Sequence, residues 1–207
     1  ALQANTTGYN NTSTGMHSMS ANTTGNSNTA HGFGALASNT TGPMNVGIGY
    51  QALLKNTTAD SNIAIGAASQ LATTTGGNNV SIGGDTLLKN TTGINNVAIS
   101  KDAMQCNNYN TAVGTCAMYN TRGNCNVAMG YASLLANTSG EYNIAIGTIA
   151  LRYNTTGGLN TAVGNAALTA NTTASGNVAV GREAATGNTT GCGIVAVGTG
   201  SAMTSAS

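Results

Sequence analysis

The chain has 207 residues, of which 5% are charged, and its formal net charge is +1. Soluble domains usually carry about 25% charged residues, so Asn, Thr and Ser must supply most of the polar surface here. The near-neutral balance offers no attraction to nucleic acid or to an anionic membrane. No apolar run approaches the roughly 18–20 residues that a membrane span needs. We therefore expect neither a nucleic-acid partner nor membrane insertion.

The first residues already belong to a repeating pattern. Ala1 and Leu2 match an Ala-Leu pair that recurs along the chain, and Asn5 begins a recurring Asn-Thr-Thr-Gly segment. This start lacks the basic residues and apolar stretch of a signal peptide. We therefore expect the numbered chain to be a processed or excised product.

A repeat of 17 residues runs through the sequence. The repeat pattern is N-[V/I/T]-A-[V/I]-G-x-x-A-L-x-x-N-T-T-G-x-x. The copy that begins at Asn143 follows it throughout, and the copy that begins at Asn160 follows it as far as N-T-T. The anchors of successive copies are Asn11, Asn28, Asn45, Asn62, Asn79, Asn96, Asn110, Asn126, Asn143, Asn160, Asn177 and Ile194. Nine of the eleven intervals are 17 residues, and the other two are 14 and 16. A fixed short period indicates one structural unit stacked on itself. It predicts an all-β parallel β-solenoid, or β-roll, of about twelve coils that forms a single domain over residues 1–207.

The segment after each anchor alternates as a β-strand does. With the anchor counted as the first position, the second and fourth positions carry β-branched residues such as Val46 and Ile48. The third position, which lies between them, carries a small residue such as Ala64 in the next copy. Because β-branched residues suit a pleated, buried surface, we expect them to face the core. Gly follows in eleven of twelve copies, with Ser100 the exception, and it predicts a bend of the backbone.

The second apolar segment centres on Ala-Leu and is too short and too rich in Gly for a helix. We predict a second strand there, followed by a turn at Asn-Thr-Thr-Gly, whose residue types favour turns. The large position of this segment holds Leu36, Leu53, Leu87, Met104, Met118, Leu134, Leu151 and Leu168. So thin a core leaves two arrangements open. A single chain closes around its own apolar column, or three chains share an axis with the small Ala face packed between them.

The same motifs resemble those of known fibre proteins. The N-x-A-[V/I]-G segment, followed by A-L and N-T-T-G, resembles the repeats of bacteriophage and virus tail fibres. It is similar, more loosely, to the N-x-V-A-I-G repeats in the heads of trimeric autotransporter adhesins. The resemblance covers essentially the whole chain. It implies a left-handed parallel β-roll, usually trimeric, displayed outside a cell or virion and used for attachment.

Glycosylation sequons recur in one register of the repeat. They begin at Asn5, Asn22, Asn39, Asn56, Asn90, Asn137, Asn154, Asn171 and Asn188. One interpretation is a column of N-glycans on exposed turns of a secreted protein. The other is that Asn and Thr are turn residues whose stacked side chains hydrogen-bond from coil to coil.

Three of the four cysteines lie around the one irregular coil. A disulfide between Cys106 and Cys125 would staple this shortened region and would suit an extracellular setting. Cys192 lies about four coils away, on the order of 18 Å or more, and is a candidate for a bond between subunits. The alternative is that all four cysteines, Cys116 included, are buried free thiols.

Few residues could support catalysis. His17 and His31 are the only histidines, and the five carboxylates share no repeating pair. We expect no enzyme activity, no cofactor and no metal site. Tyr50 and Tyr131 share one register of the repeat, and Tyr109 and Tyr142 share another. Such tyrosines could form an adhesive surface.

No capping segment of the kind that closes most solenoids is recognisable in the sequence. The pattern stops mid-coil, after Ala202 and Met203. We expect either one segment of a longer fibre or a protomer that stacks end to end. Our leading hypothesis is a structural subunit of an extracellular fibre or filament that serves surface attachment, with itself as the main partner. The alternative is a discrete trimeric receptor- or glycan-binding head of a tail fibre or adhesin.

Overall fold

The computed structural model of the protein describes residues 1–202. Over that range the chain forms twelve strands of three residues each and no helix. It divides into two compact units, Ala1–Asn108 with six strands and Tyr109–Ser207 with six. The strands are β1 (Thr12–Thr14), β2 (Thr29–His31), β3 (Val46–Ile48), β4 (Ile63–Ile65), β5 (Val80–Ile82), β6 (Val97–Ile99), β7 (Thr111–Val113), β8 (Val127–Met129), β9 (Ile144–Ile146), β10 (Thr161–Val163), β11 (Val178–Val180) and β12 (Val195–Val197).

Within each unit, every strand pairs in parallel with the next strand along the chain. In the first unit, β2 pairs with β3 so that Thr29 lies opposite Val46. In the second, β9 pairs with β10 so that Ile144 lies opposite Thr161. Each partner is one repeat further along, which makes the 17-residue period one coil of a solenoid. The predicted fold class, an all-β parallel β-solenoid, is therefore confirmed.

The strands bury their small middle residue and not their β-branched residues. Ala64 is fully buried, whereas Ile63, beside it in β4, is 37% exposed. The expectation that Val and Ile face the core is wrong. The core is too shallow for them: at Gly47, which replaces this Ala in β3, an added Cβ would lie 3.3 Å from the Leu36 Cγ. Because each chain buries its own Ala column, that column is not available as a face that three chains could share; association of three chains stays a prediction.

The Ala-Leu segment is a series of turns, so the prediction of a second strand is wrong. Gln51 and Leu53 adopt left-handed conformations, with φ of 57° and 52°. Such a conformation costs a residue with a side chain about 1–2 kcal/mol. Hydrogen bonds on both sides offset this cost. The backbone N–H of Gln51 donates to the Phe33 carbonyl of the preceding coil at 2.9 Å. The backbone N–H of Leu53 donates to the Ser69 carbonyl of the following coil at 3.0 Å. The Leu53 side chain is fully buried.

A sharp bend follows each strand, as predicted from its glycine. These glycines have φ between 113° and 135°, a range that only glycine adopts readily. At Gly130, an added Cβ would lie 2.7 Å from the Gly147 carbonyl carbon of the next coil. Ser100 takes the same place with φ of 100°. Met203, the large residue predicted for the last coil, lies outside the described residues.

Two columns of asparagine side chains run inside the coils. The anchor Asn143 is fully buried. Its Nδ2 donates to the Gly157 carbonyl at 2.9 Å, and its Oδ1 accepts from the Asn160 backbone N–H at 3.1 Å. In the turn column, the Asn39 Nδ2 donates to Gly42 O at 2.9 Å and to Asn22 Oδ1 at 2.8 Å. Buried amides therefore connect each coil to the next.

One coil carries a polar residue in the place of the core leucine. Gln70 is fully buried, and its Nε2 donates to the Ile63 carbonyl at 3.0 Å and to the Ser81 hydroxyl at 2.9 Å. Ser81 itself replaces the buried Ala in the strand of the next coil. The two polar substitutions therefore occur as a pair in which one supplies a hydrogen-bond partner to the other.

Candidate functional site

The exposed apolar side chains of the second unit gather on the outer surface of its strands. Three positions of each coil supply most of them: the residue before the anchor, the first strand residue and the third strand residue. The anchor and the middle strand residue point inward, so the residues that alternate with them point outward. Among the described residues of this unit, eleven large apolar residues are exposed, and nine of them belong to these three columns. We call the three columns the apolar face. They comprise Tyr109, Cys125, Tyr142, Leu159, Gly176 and Gly193, then Thr111, Val127, Ile144, Thr161, Val178 and Val195, then Val113, Met129, Ile146, Val163, Val180 and Val197.

The apolar face carries no Asp, Glu, Lys, Arg or His. Near its centre, Met129 is 42% exposed, Ile146 is 37% exposed and Tyr142 is 57% exposed. Soluble monomers rarely expose contiguous apolar patches of more than a few hundred Å². The arrangement is therefore typical of a surface that contacts another molecule.

The first unit has a smaller aromatic cluster. Its rings come from Phe33 and Tyr50, which directly follow the bend glycines of successive coils, and from His17, two residues after Gly15 in the preceding coil. The Phe33 and Tyr50 rings stack with centroids 5.6 Å apart and planes within 14°. The His17 ring meets Phe33 edge-on at 5.7 Å. In this unit β3–β6 also carry outward Val and Ile, but the column before the anchors is mostly Asn and Ser. A face of three largely apolar columns is therefore a property of the second unit.

All four tyrosines that the sequence analysis singled out are exposed by more than half of their surface. Tyr50 belongs to the aromatic cluster of the first unit. Tyr109 and Tyr142 lie in the apolar face of the second unit. Tyr131 directly follows the bend glycine Gly130 and lies outside that face. The structure thus brings two of them into one surface with Met and Ile residues that the sequence pattern had assigned to the core.

The sequon asparagines form the buried turn column, except at the beginning of the chain. Asn22, Asn39, Asn56, Asn90, Asn137, Asn154, Asn171 and Asn188 are at most 1% exposed. Each donates its Nδ2 to the carbonyl three residues later, as Asn171 does to Ala174 O at 3.0 Å. A glycan on Nδ2 has no space in this packing. Asn5 is exposed, although its Nδ2 also donates to Gly8 O at 2.9 Å.

The threonines that follow these asparagines hold the turns together. The Thr40 hydroxyl donates to the Thr57 carbonyl of the next coil at 3.0 Å. The same carbonyl accepts the backbone N–H groups of Thr40, Thr41 and Gly42 at 2.9–3.4 Å. The predicted turn at Asn-Thr-Thr-Gly is therefore confirmed, together with the stacking of its side chains from coil to coil.

None of the four cysteines is fully buried, so the interpretation as buried thiols is wrong. Cys192 is exposed and the other three are half-buried. Cys125 is a free thiol and lies in the apolar face, so the disulfide with Cys106 is not formed in the structure and stays a prediction. Cys106 lines an open depression beside Lys89 and Thr92. Cys192 accepts a hydrogen bond from the Ser175 N–H at 3.4 Å, and its role between subunits also stays a prediction.

The residues that could act in catalysis lie apart from one another. His17 and His31 are both exposed on the first coils. Among the described residues, no three His, Cys, Asp or Glu side chains come together as a metal site would require. The described residues contain one ion pair, between Arg182 and Glu183 at 3.3 Å on the surface.

No family model, curated protein or solved structure matches this chain. The resemblance to tail fibres and adhesin heads therefore stays a prediction that depends on the repeat motif. Residues 1–202 contain no helix that is long and apolar enough to cross a membrane.

Proposed function

We propose that this protein is a structural subunit of an extracellular fibre or filament that serves attachment to a surface. The observation that carries the proposal is the repetition of one set of hydrogen bonds from coil to coil. Asn45 donates its backbone N–H to Asn28 Oδ1 at 2.9 Å, and Asn62 does the same to Asn45 at 3.0 Å. Such nearest-neighbour contacts suit a rigid, extended element, because each coil is stabilised mainly by the coils beside it.

The composition supports a place outside the cell. A composition rich in Asn, Thr and Ser with 5% charged residues is common in extracellular fibres. The exposed tyrosines and the outward Val and Ile rows would supply apolar contact area for other copies or for a target surface. The residues that hold the coils together point inward, and those that would make contacts point outward.

A second candidate is a discrete receptor- or glycan-binding head. The stacked Phe33 and Tyr50 rings, with His17 against them, favour it. Aromatic side chains offer large, rigid and amphipathic contact area and are enriched where proteins bind other molecules. In this reading the solenoid would present that cluster to a target, and the assembly would be a closed oligomer of fixed size.

Negative-stain electron microscopy of the natively purified protein, without denaturant or reductant, tests the proposal. We expect filaments of uniform width and variable length. Discrete rods of one length would contradict the filament and favour the binding head. Binding of the protein to an array of immobilised glycans would then test the second candidate, with Tyr50→Ala as the variant that should lose binding.

A further inference from the structure

We propose that the apolar face of the second unit packs against the same face of a second copy of this chain. This inference rests on the proposed function, for which it names the lateral contact between subunits. It uses the outward strand residues and the column of Tyr109, Tyr142 and Leu159. It does not use the buried Ala column.

The charge of the face selects the partner. All three columns lack Asp, Glu, Lys, Arg and His, so two copies can meet without desolvating a charge. A strongly charged partner, such as an anionic polymer or a basic peptide, finds no complementary group there. The face also contains Tyr and Met, which are enriched in protein interfaces. A neutral, apolar second surface is the best match.

The spacing of the face also favours a second copy. Its rows repeat once per coil, at the strand separation of about 4.7–4.9 Å. A second copy has the same repeat, so its rows of Val, Ile and Met can lie between those of the first along the whole unit. Sheets that pack face to face in this way lie about 10 Å apart with their side chains interdigitated. The two copies would be related by a two-fold axis, because the same patch is used on both.

The available area is sufficient for a specific dimer. Six strands about 4.8 Å apart span roughly 29 Å, and the five residues across the three columns, with their side chains, add a width of roughly 20 Å. The face therefore measures on the order of 600 Å², and two faces together about 1,200 Å². That value is at the lower limit of stable, specific interfaces.

The test is the mass of the 207-residue chain in solution, measured by sedimentation across a wide concentration range. Ile146 lies at the centre of the face, in β9, and points outward. We expect the wild type to associate and Ile146→Arg to weaken association by at least about 30-fold, because an unpaired charge would be buried at the contact. Tyr142→Ala combined with Leu159→Ala should weaken it through lost apolar area without adding charge.

Thr156→Arg is the matched control, because Thr156 is an exposed turn residue of the same unit outside the face. It should associate like the wild type, and all variants should keep the wild-type circular dichroism spectrum. The variants that lose association should melt lower than the wild type only by the stabilisation that association gives at the concentration used. A wild type that is monomeric at every concentration would overturn the inference, as would association that Ile146→Arg leaves unchanged.

Electron microscopy separates this inference from the proposed function. If Ile146→Arg still forms filaments, but at a smaller width than the wild type, then both the fibre and the lateral contact are supported. If the wild type forms no filament but sediments as an assembly that Ile146→Arg dissociates, the proposed function fails and the inference holds. Wild-type and Ile146→Arg filaments of equal width would contradict the inference alone.

Discussion

Buried asparagine side chains hold the coils of this protein together, where other proteins rely on a larger apolar core. Each regular coil buries two Asn side chains, one at the anchor and one at the turn. An amide can accept and donate at once, so one residue type can satisfy backbone groups in its own coil and in the next. At the turn of one coil Thr73 replaces Asn, and its hydroxyl donates to the Asn90 carbonyl at 3.0 Å. The bond to the following coil is therefore kept, but Asn56 Oδ1, on the preceding coil, is buried without a hydrogen-bond partner.

Removal of one anchor amide should destabilise the protein measurably. Asn143→Ala leaves the Asn160 backbone N–H buried without its partner, and we expect the free energy of unfolding to fall by about 2–3 kcal/mol. Asn165→Ala, at an exposed Asn nearby, should change it by less than about 0.5 kcal/mol. Urea denaturation followed by circular dichroism measures both. Equal midpoints for the two variants would show that the buried amide contributes little.

At eight of the nine sequon positions the structure confirms that the turn asparagines are buried and hydrogen-bonded; glycosylation of the sequons stays a prediction. In the folded chain their Nδ2 atoms are not accessible, whereas Asn5 is exposed. The sequence motif is the same at every one of these positions, so the motif alone could not distinguish them. The difference comes from neighbours: Asn22 has a coil on each side in the ladder, because it donates to Asn5 Oδ1 at 2.9 Å and accepts from Asn39 Nδ2 at 2.8 Å.

At the scale of the element, each coil contains one short strand and a series of turns closed by left-handed residues. The glycine after the strand and the turn at Asn-Thr-Thr-Gly could be predicted, because their residue types have local conformational preferences. The left-handed conformation of Leu53 and of its equivalents could not. Leucine disfavours that conformation in isolation, and only hydrogen bonds to the coils on either side make it stable.

The bend glycines should tolerate substitution poorly. For Gly130→Ala, we expect a loss of about 3 kcal/mol or more, because φ of 131° is strained for alanine and the new Cβ would lie 2.7 Å from the Gly147 carbonyl carbon. Gly176→Ala is the matched control. Gly176 has φ of 70°, no atom lies within 4 Å of an added Cβ, and Leu159 holds the same place one coil earlier. Thermal denaturation compares the two, and a similar melting temperature for both would contradict the steric argument.

The inward and outward sides of the strand were the main error of the sequence-based prediction. Thr14 and His31 occupy a position that Ile or Val fills in most coils, and these polar residues were signs that the position faces solvent. The small residue in the middle of nearly every strand was the sign that this position faces the core. The β-branched residues obscured both signals, because they suit strands whether or not they are buried.

At the scale of the whole molecule, the chain is stabilised almost without charges. It has six basic and five acidic residues, and the described residues contain one ion pair, Arg182–Glu183, which is largely exposed. Exposed pairs contribute about 0–1 kcal/mol. Buried amides, backbone hydrogen bonds and the Ala-Leu core therefore account for nearly all of the stability.

Stability should accordingly depend little on sodium chloride. Between low salt and about 1 M NaCl, where the Debye length falls to roughly 3 Å, we expect the melting temperature to change by no more than about 2 °C. Differential scanning calorimetry at several salt concentrations measures this. Sodium sulfate serves as the comparison, because it should raise the melting temperature by strengthening the burial of apolar surface. A large fall in NaCl would mean that charge interactions carry substantial stability.

The sequence by itself determined the period, the fold class and the positions of the bend and the turn. Those features follow from local conformational preference and from repetition, and both are written in the residue order. The tertiary structure decided which side of each strand is buried, which asparagines are accessible and where the apolar face lies. These depend on how deep the space is between a strand and the Leu turn opposite it. That space holds one Leu and one Ala, so the β-branched strand residues, such as Ile144 and Ile146 in the second unit, are left outside and become the surface with which the protein can make contacts.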